Sequence, residues 1–124
     1  MEKMKISNNS WQTSLSQLLN QLTSESGEPP RVAIVGIGNP LRNDDAAGML
    51  VAREIQHREQ AADASHLLII QAGHAPENVT GELRSFAPEL ILLIDAADMR
   101  DVPGTICWVP IQSIEGMSAS THSL

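Results

Sequence analysis

A single cysteine, Cys107, is all the thiol chemistry this 124-residue chain holds. One thiol cannot pair within the chain, so a disulfide-stapled scaffold is excluded. Cationic residues are also scarce. Eight lysines and arginines stand against 15 aspartates and glutamates, a net charge of −7, which is the wrong sign for a nucleic-acid backbone or an anionic membrane. Neutral, basic or metallic partners remain. No apolar run approaches the roughly 18 residues of a membrane span, and the first thirty residues lack the apolar centre of a secretory signal. The cytoplasm is the expected compartment. Several motifs are missing too. No Gly-Lys-Ser/Thr follows a glycine-rich turn, and there is no Gly-x-Ser-x-Gly elbow, no His-Glu-x-x-His helix and no base tied in sequence to Cys107, so the commonest nucleotide and peptidase signatures are absent.

What is present divides near Pro29-Pro30. Before it, Trp11, Leu15, Leu18, Leu19 and Leu22 fall at helical spacing, with Asn9 or Ser10 to cap and Gly27 to stop a short amphipathic helix. Residues 1–30 are read as an N-terminal extension and 31–124 as the domain. Its length suffices to bury a core of its own.

Within the domain, "RVAIVG" (31–36), "HLLIIQAG" (66–73), "ELILLIDAAD" (89–98) and "GTICWVP" (104–110) read as four buried strands. Between them, a helix is expected from Asp44 to about Gln60, with Ala47, Leu50, Val51 and Ile55 as its apolar stripe and Arg53, Glu54, His57 and Arg58 in water. A second, short helix ends at Pro88. Strands alternating with helices predict an α/β three-layer sandwich, a mostly parallel twisted sheet with helices on both faces. In such sheets ligands bind beyond the carboxyl ends of the strands. Asp44 and Asp45, Gly73 and His74, and Asp95 should therefore share one rim.

The turn "GIGNPLRNDD" resembles a dinucleotide fingerprint at first, but Leu41 occupies the third glycine position, Pro40 has no N–H, and two carboxylates would repel a phosphate. A divalent cation suits the turn better. Asp45 and Asp95 supply oxygen and His122, in "SASTHSL", is the nearest credible nitrogen, an O,O,N set with open positions. Duller roles compete at each position. Asp44 or Asp45 can cap the helix; Asp95 would be costly to bury without a partner; His122, His57 and His66 can be ordinary surface residues; Asp98 can serve its own turn; Cys107, beside Trp108, can be buried packing.

The segments "GIGNPLRNDDAAG", "QAGHAPENVTGELRSFAPELILLIDAADM" and "STH", in that order and spacing, resemble the hydrogenase maturation endopeptidases, most of all the branch that processes formate-hydrogenlyase-type hydrogenases. The resemblance implies a peptidase that removes the C-terminal extension of the [NiFe]-hydrogenase large-subunit precursor. It implies that nickel already inserted in that precursor is the recognition signal, read by Asp45, Asp95 and His122, with Asp45 and Asp95 also the residues expected in catalysis. Family members commonly carry an acid where this chain has Gln71, and they continue through further strand and helix where this chain stops after Leu124. The resemblance thus implies that the C-terminal part of the domain is missing here. Two other classes compete with this reading: a metal- or precursor-binding maturation factor that does not cut, and a Rossmann-like nucleotide-binding domain.

Overall fold

The computed structural model describes residues 10–39, 41, 46–59, 65–73, 79–96 and 104–109. These residues fall into two compact units. Residues 21–99 hold the sheet; the other unit takes in the first half of α1 (Ser10–Ser26) and the segment 104–109. In α1, Trp11, Leu15, Leu18, Leu19 and Leu22 are all half-buried on one stripe, and the helix ends where Gly27 takes φ +79° and its N–H bonds to the Thr23 carbonyl. A left-handed residue donating to the last turn is the expected glycine stop.

Among the described residues the sheet has three parallel strands in the order β2-β1-β3, with β1 at Val32–Ile37, β2 at Leu67–Gly73 and β3 at Leu90–Ile94. β1 lies between the other two, which is why Ala33, Ile34, Val35 and Gly36 are buried in succession. The chain steps from β1 outward to β2 through α2 (Ala47–Glu59), then back across β1 to β3 through α3 (Thr80–Phe86). Two crossovers of the same hand that step in opposite directions must lie on opposite faces of the sheet. The side chains agree. Gly36 faces α2, whereas Val35 and Ile70, paired in register and pointing the other way, form a cluster with Val79 that Leu83 of α3 covers. This is the expected three-layer α/β arrangement.

Three expectations are corrected. The third run is a strand but not a buried one, since Ile91 and Leu93 on one face of β3 are exposed. Residues 105–109 carry no strand; an apolar run supplies a face to bury but not the neighbouring ladder a strand requires. The stripe of α2 is also different. Gly48 and Ala52 are the buried residues, while Ala47, Leu50 and Val51 are exposed. The cause lies in β1, where a Cβ on Gly36 would strike the Gly48 carbonyl and come within 2.7 Å of the Ala52 methyl. The helix descends so far onto the strand that small residues alone fit beneath it. Arg53, Glu54, His57 and Arg58 are exposed as expected, and the Arg58–Glu54 pair is too open to add much stability.

α3 ends as read, with Pro88 one residue past Ala87, but its stop is an alanine in the left-handed region, φ 53°, whose N–H bonds to the Leu83 carbonyl. An L-residue there costs about 1–2 kcal/mol, part of which a glycine returns as unfolded-state entropy. Ala87→Gly should therefore stabilise the domain by about 0.5–1 kcal/mol, seen as a higher urea midpoint at unchanged slope. A lower midpoint would mean that the alanine is not strained.

Candidate active site

The chain steps from β1 to β2 and then back across β1 to β3, so the strand order reverses between β1 and β3, the place where an open α/β sheet has its crevice, beyond the carboxyl ends of the strands. That reversal of strand order is where open α/β sheets bind ligands. Three described elements border it: Gly38 and Asn39 after β1, the first turn of α2, and Asp95 immediately after β3.

Gly48 fixes the helix there. A Cβ at this position would run into the carbonyl oxygens of Ile94, the last residue of β3, and Ile37, the last residue of β1. The start of α2 thus rests directly on two strand ends. Ala46 is buried just ahead of the helix, and its carbonyl accepts from the Leu50 N–H at 3.0 Å. The sequence reading treated Gly48 as an unremarked helical residue; a glycine at a helix start, following a strand that itself contains glycine, is the signal that could have marked the close crossing.

Asp95 lies on this rim and is exposed. The burial cost anticipated for a carboxylate ending "LILLI" therefore does not arise, because the strand ends at Ile94 and the side chain reaches water. Asp45, His122, Asp44, His74 and Asp98 lie outside the described residues. Among the described residues no three His, Cys, Asp or Glu side chains gather as a metal cluster. His57 and His66 are exposed, as expected of surface histidines, and Cys107 is half-buried in a segment that is not a strand.

Gln71 stands where the resemblance implies an acid. Its amide donates to the Oε1 of Gln56 on α2 at 3.1 Å. Gln56 is two helical turns beyond Gly48, roughly 12 Å along the axis, so this side chain is engaged with the flank of α2 rather than its first turn. A carboxylate could not donate that bond. At the end of the same strand, Gly73 bonds to both Gly38 and Met49, contacts that no periodicity announces.

No described helix is long and apolar enough to cross a membrane. The sequence profile of the hydrogenase maturation proteases matches residues 49–124. The hydrogenase 3 maturation protease of Escherichia coli K12 is 34% identical over 89 residues, which is 71% of this chain and 54% of that protein. A protein of Methanocaldococcus jannaschii named for the same activity is 33% identical over 98 residues, 76% of this chain and 58% of its own length. The chain thus spans a little over half the length of these curated relatives. Among solved structures, the [NiFe] hydrogenase maturation protease HycI of Thermococcus kodakarensis superposes with a TM-score of 0.51 at 28% identity, covering 85% of this chain and 74% of that one. Matched by that profile over residues 49–124 and about one-third identical to these relatives across most of its length, this chain belongs to the hydrogenase maturation protease family.

Proposed function

We propose that this chain is a cytoplasmic endopeptidase that removes the C-terminal extension of a [NiFe]-hydrogenase large-subunit precursor after nickel insertion. The observation that carries the reading is the exposed carboxylate of Asp95 at the β1/β3 crevice of a chain of this family. Nickel enters as part of the substrate. Asp95 offers a hard oxygen donor in the open, and Asp45 and His122 complete an O,O,N set suited to a borderline divalent ion. Held by these residues, the ion would supply Lewis-acid polarisation to the peptide bond being cut.

The residues themselves bind and orient. Asp95, fixed one residue beyond a strand end that Gly48 packs against, holds its carboxylate at a set place on the rim. Asp45, one residue before the buried Ala46, is the second carboxylate of the proposed set. Hydrolysis then needs a proton taken from water and one delivered to the leaving amine, tasks for which carboxylates on this rim are suited.

The test is incubation with purified nickel-loaded precursor, followed by mass spectrometry of the precursor's C-terminus. Cleavage should shorten the precursor, and Asp45→Asn should slow it by about 10²–10⁴-fold at little cost in stability, because asparagine caps a helix about as well as aspartate. Stable association with an unshortened precursor would favour the non-cutting maturation factor. Normal cleavage by the variant would return Asp45 to capping.

A further inference from the structure

Gly73 sits at a join between three elements. Its carbonyl accepts the N–H of Gly38, the first residue after β1, at 2.9 Å. Its own N–H donates to the Sδ of Met49, in the first turn of α2, at 3.0 Å. Gly38 and Met49 are the two ends of the connection that carries Asp45. Both ends are thus held by the backbone of one residue on a neighbouring strand.

The sheet is built to allow this. Gly36 pairs with Gln71, yet Ile37 pairs with Gly73, so β2 carries one residue more than β1 over this step. Such a bulge redirects the end of a strand and is common beside active sites. Here it turns Gly73 towards the β1 connection, with φ at +64°. A Cβ on Gly73 would meet nothing closer than the Gly38 carbonyl at 3.9 Å. What excludes other residues is therefore the backbone conformation, not space, and asparagine tolerates that conformation where alanine does not.

We propose that Gly73 and Met49 are positioning residues: the two hydrogen bonds of Gly73 clamp Gly38 and the first turn of α2 to the end of β2, and so hold α2 against the Ile94 end of β3, beside which Asp95 meets the substrate. The proposal rests on the β1/β3 crevice being the cleavage site. It makes Gly73 a glycine for conformational reasons and Met49 a methionine for its acceptor sulfur, which a leucine of similar volume lacks.

The experiment measures amide hydrogen exchange and cleavage kinetics on nickel-loaded precursor for the full chain and for Met49→Leu, Gly73→Ala, Gly73→Asn and Asp95→Asn. In Met49→Leu the Gly38 and Gly73 amides should exchange about tenfold faster than in the parent. In Met49→Leu and Gly73→Ala, kcat should fall by about 10–100-fold, as misplacement of a reacting group does, with KM within about twofold. Gly73→Asn should keep kcat within about threefold of the parent, since it can hold the left-handed conformation. Unchanged exchange in Met49→Leu overturns the clamp. A rise in KM at constant kcat, or Gly73→Asn as impaired as Gly73→Ala, overturns its positioning role. Asp95→Asn reports on the crevice separately: normal cleavage by that variant removes the site, and the proposal with it, whatever the exchange data give.

Discussion

Gly48→Ala is expected to cost the domain about 2–3 kcal/mol. The added methyl would be driven into the carbonyl oxygens of Ile94 and Ile37, and these belong to strand ends, not to side chains that can rotate away. Over-packing of this kind costs about 1–3 kcal/mol and more where nothing yields, and alanine's better helix propensity returns only about 1 kcal/mol. A loss of that size is a large part of the roughly 5–15 kcal/mol that holds a domain together. Gly81→Ala is the matched control, because a Cβ there has nothing within 4 Å; it should gain up to about 1 kcal/mol from propensity alone. Urea midpoints compare the two. A Gly48→Ala domain as stable as Gly81→Ala would show that α2 can lift from the strand ends without penalty. Processing should suffer beyond the stability loss, since lifting α2 moves one wall of the crevice away from Asp95.

Asp95→Asn should show the opposite pattern, a large loss of activity at almost constant stability. The side chain is exposed at the end of β3, and exposed substitutions usually stay within about 0.5 kcal/mol. Asparagine keeps the shape and removes the charge. If the carboxylate holds the substrate's metal or manages a proton, cleavage of nickel-loaded precursor should slow by about 10²–10⁴-fold. Single-turnover rates with saturating precursor, read beside the urea midpoint, check both halves. A slow variant that is also strongly destabilised would assign Asp95 to structure, and a fast one would remove it from the site.

The sequence disclosed the sheet more fully than the packing on it. Continuous apolar runs bounded by turn residues located β1, β2 and β3 to within a residue or two at their starts, although of the three only β1 has the burial on both faces that such a run suggests. The third run was read through Asp98, whereas the strand stops at Ile94. Hydropathy does not record where the ladder ends. The same blindness produced a fourth strand at 104–110 where residues 105–109 have none. For α2, periodicity favoured Leu50 and Val51, yet the sheet took Gly48 and Ala52, since helix–sheet distance was decided by Gly36 on another element. Of the candidate site, Asp95 was legible as a carboxylate closing an apolar run. The join of Gly38, Gly73 and Met49 was not, because it depends on a register shift between strands distant in the chain.

The central place of β1 also bears on the order in which the protein can fold. This strand is the most buried of the three and is synthesised first, but it has no partner near it in the chain: Val32 pairs with Leu67 on one side and Leu90 on the other. At roughly 5–20 residues per second of synthesis, its apolar backbone waits seconds for β2 and longer for β3. Early structure must then come from local helices, and β1 gains its second neighbour only when "LILLI" arrives. Because every strand pairing is long-range, the entropy of loop closure falls before the reward of contact, the condition under which folding is slow and nascent chains are most exposed to misassociation.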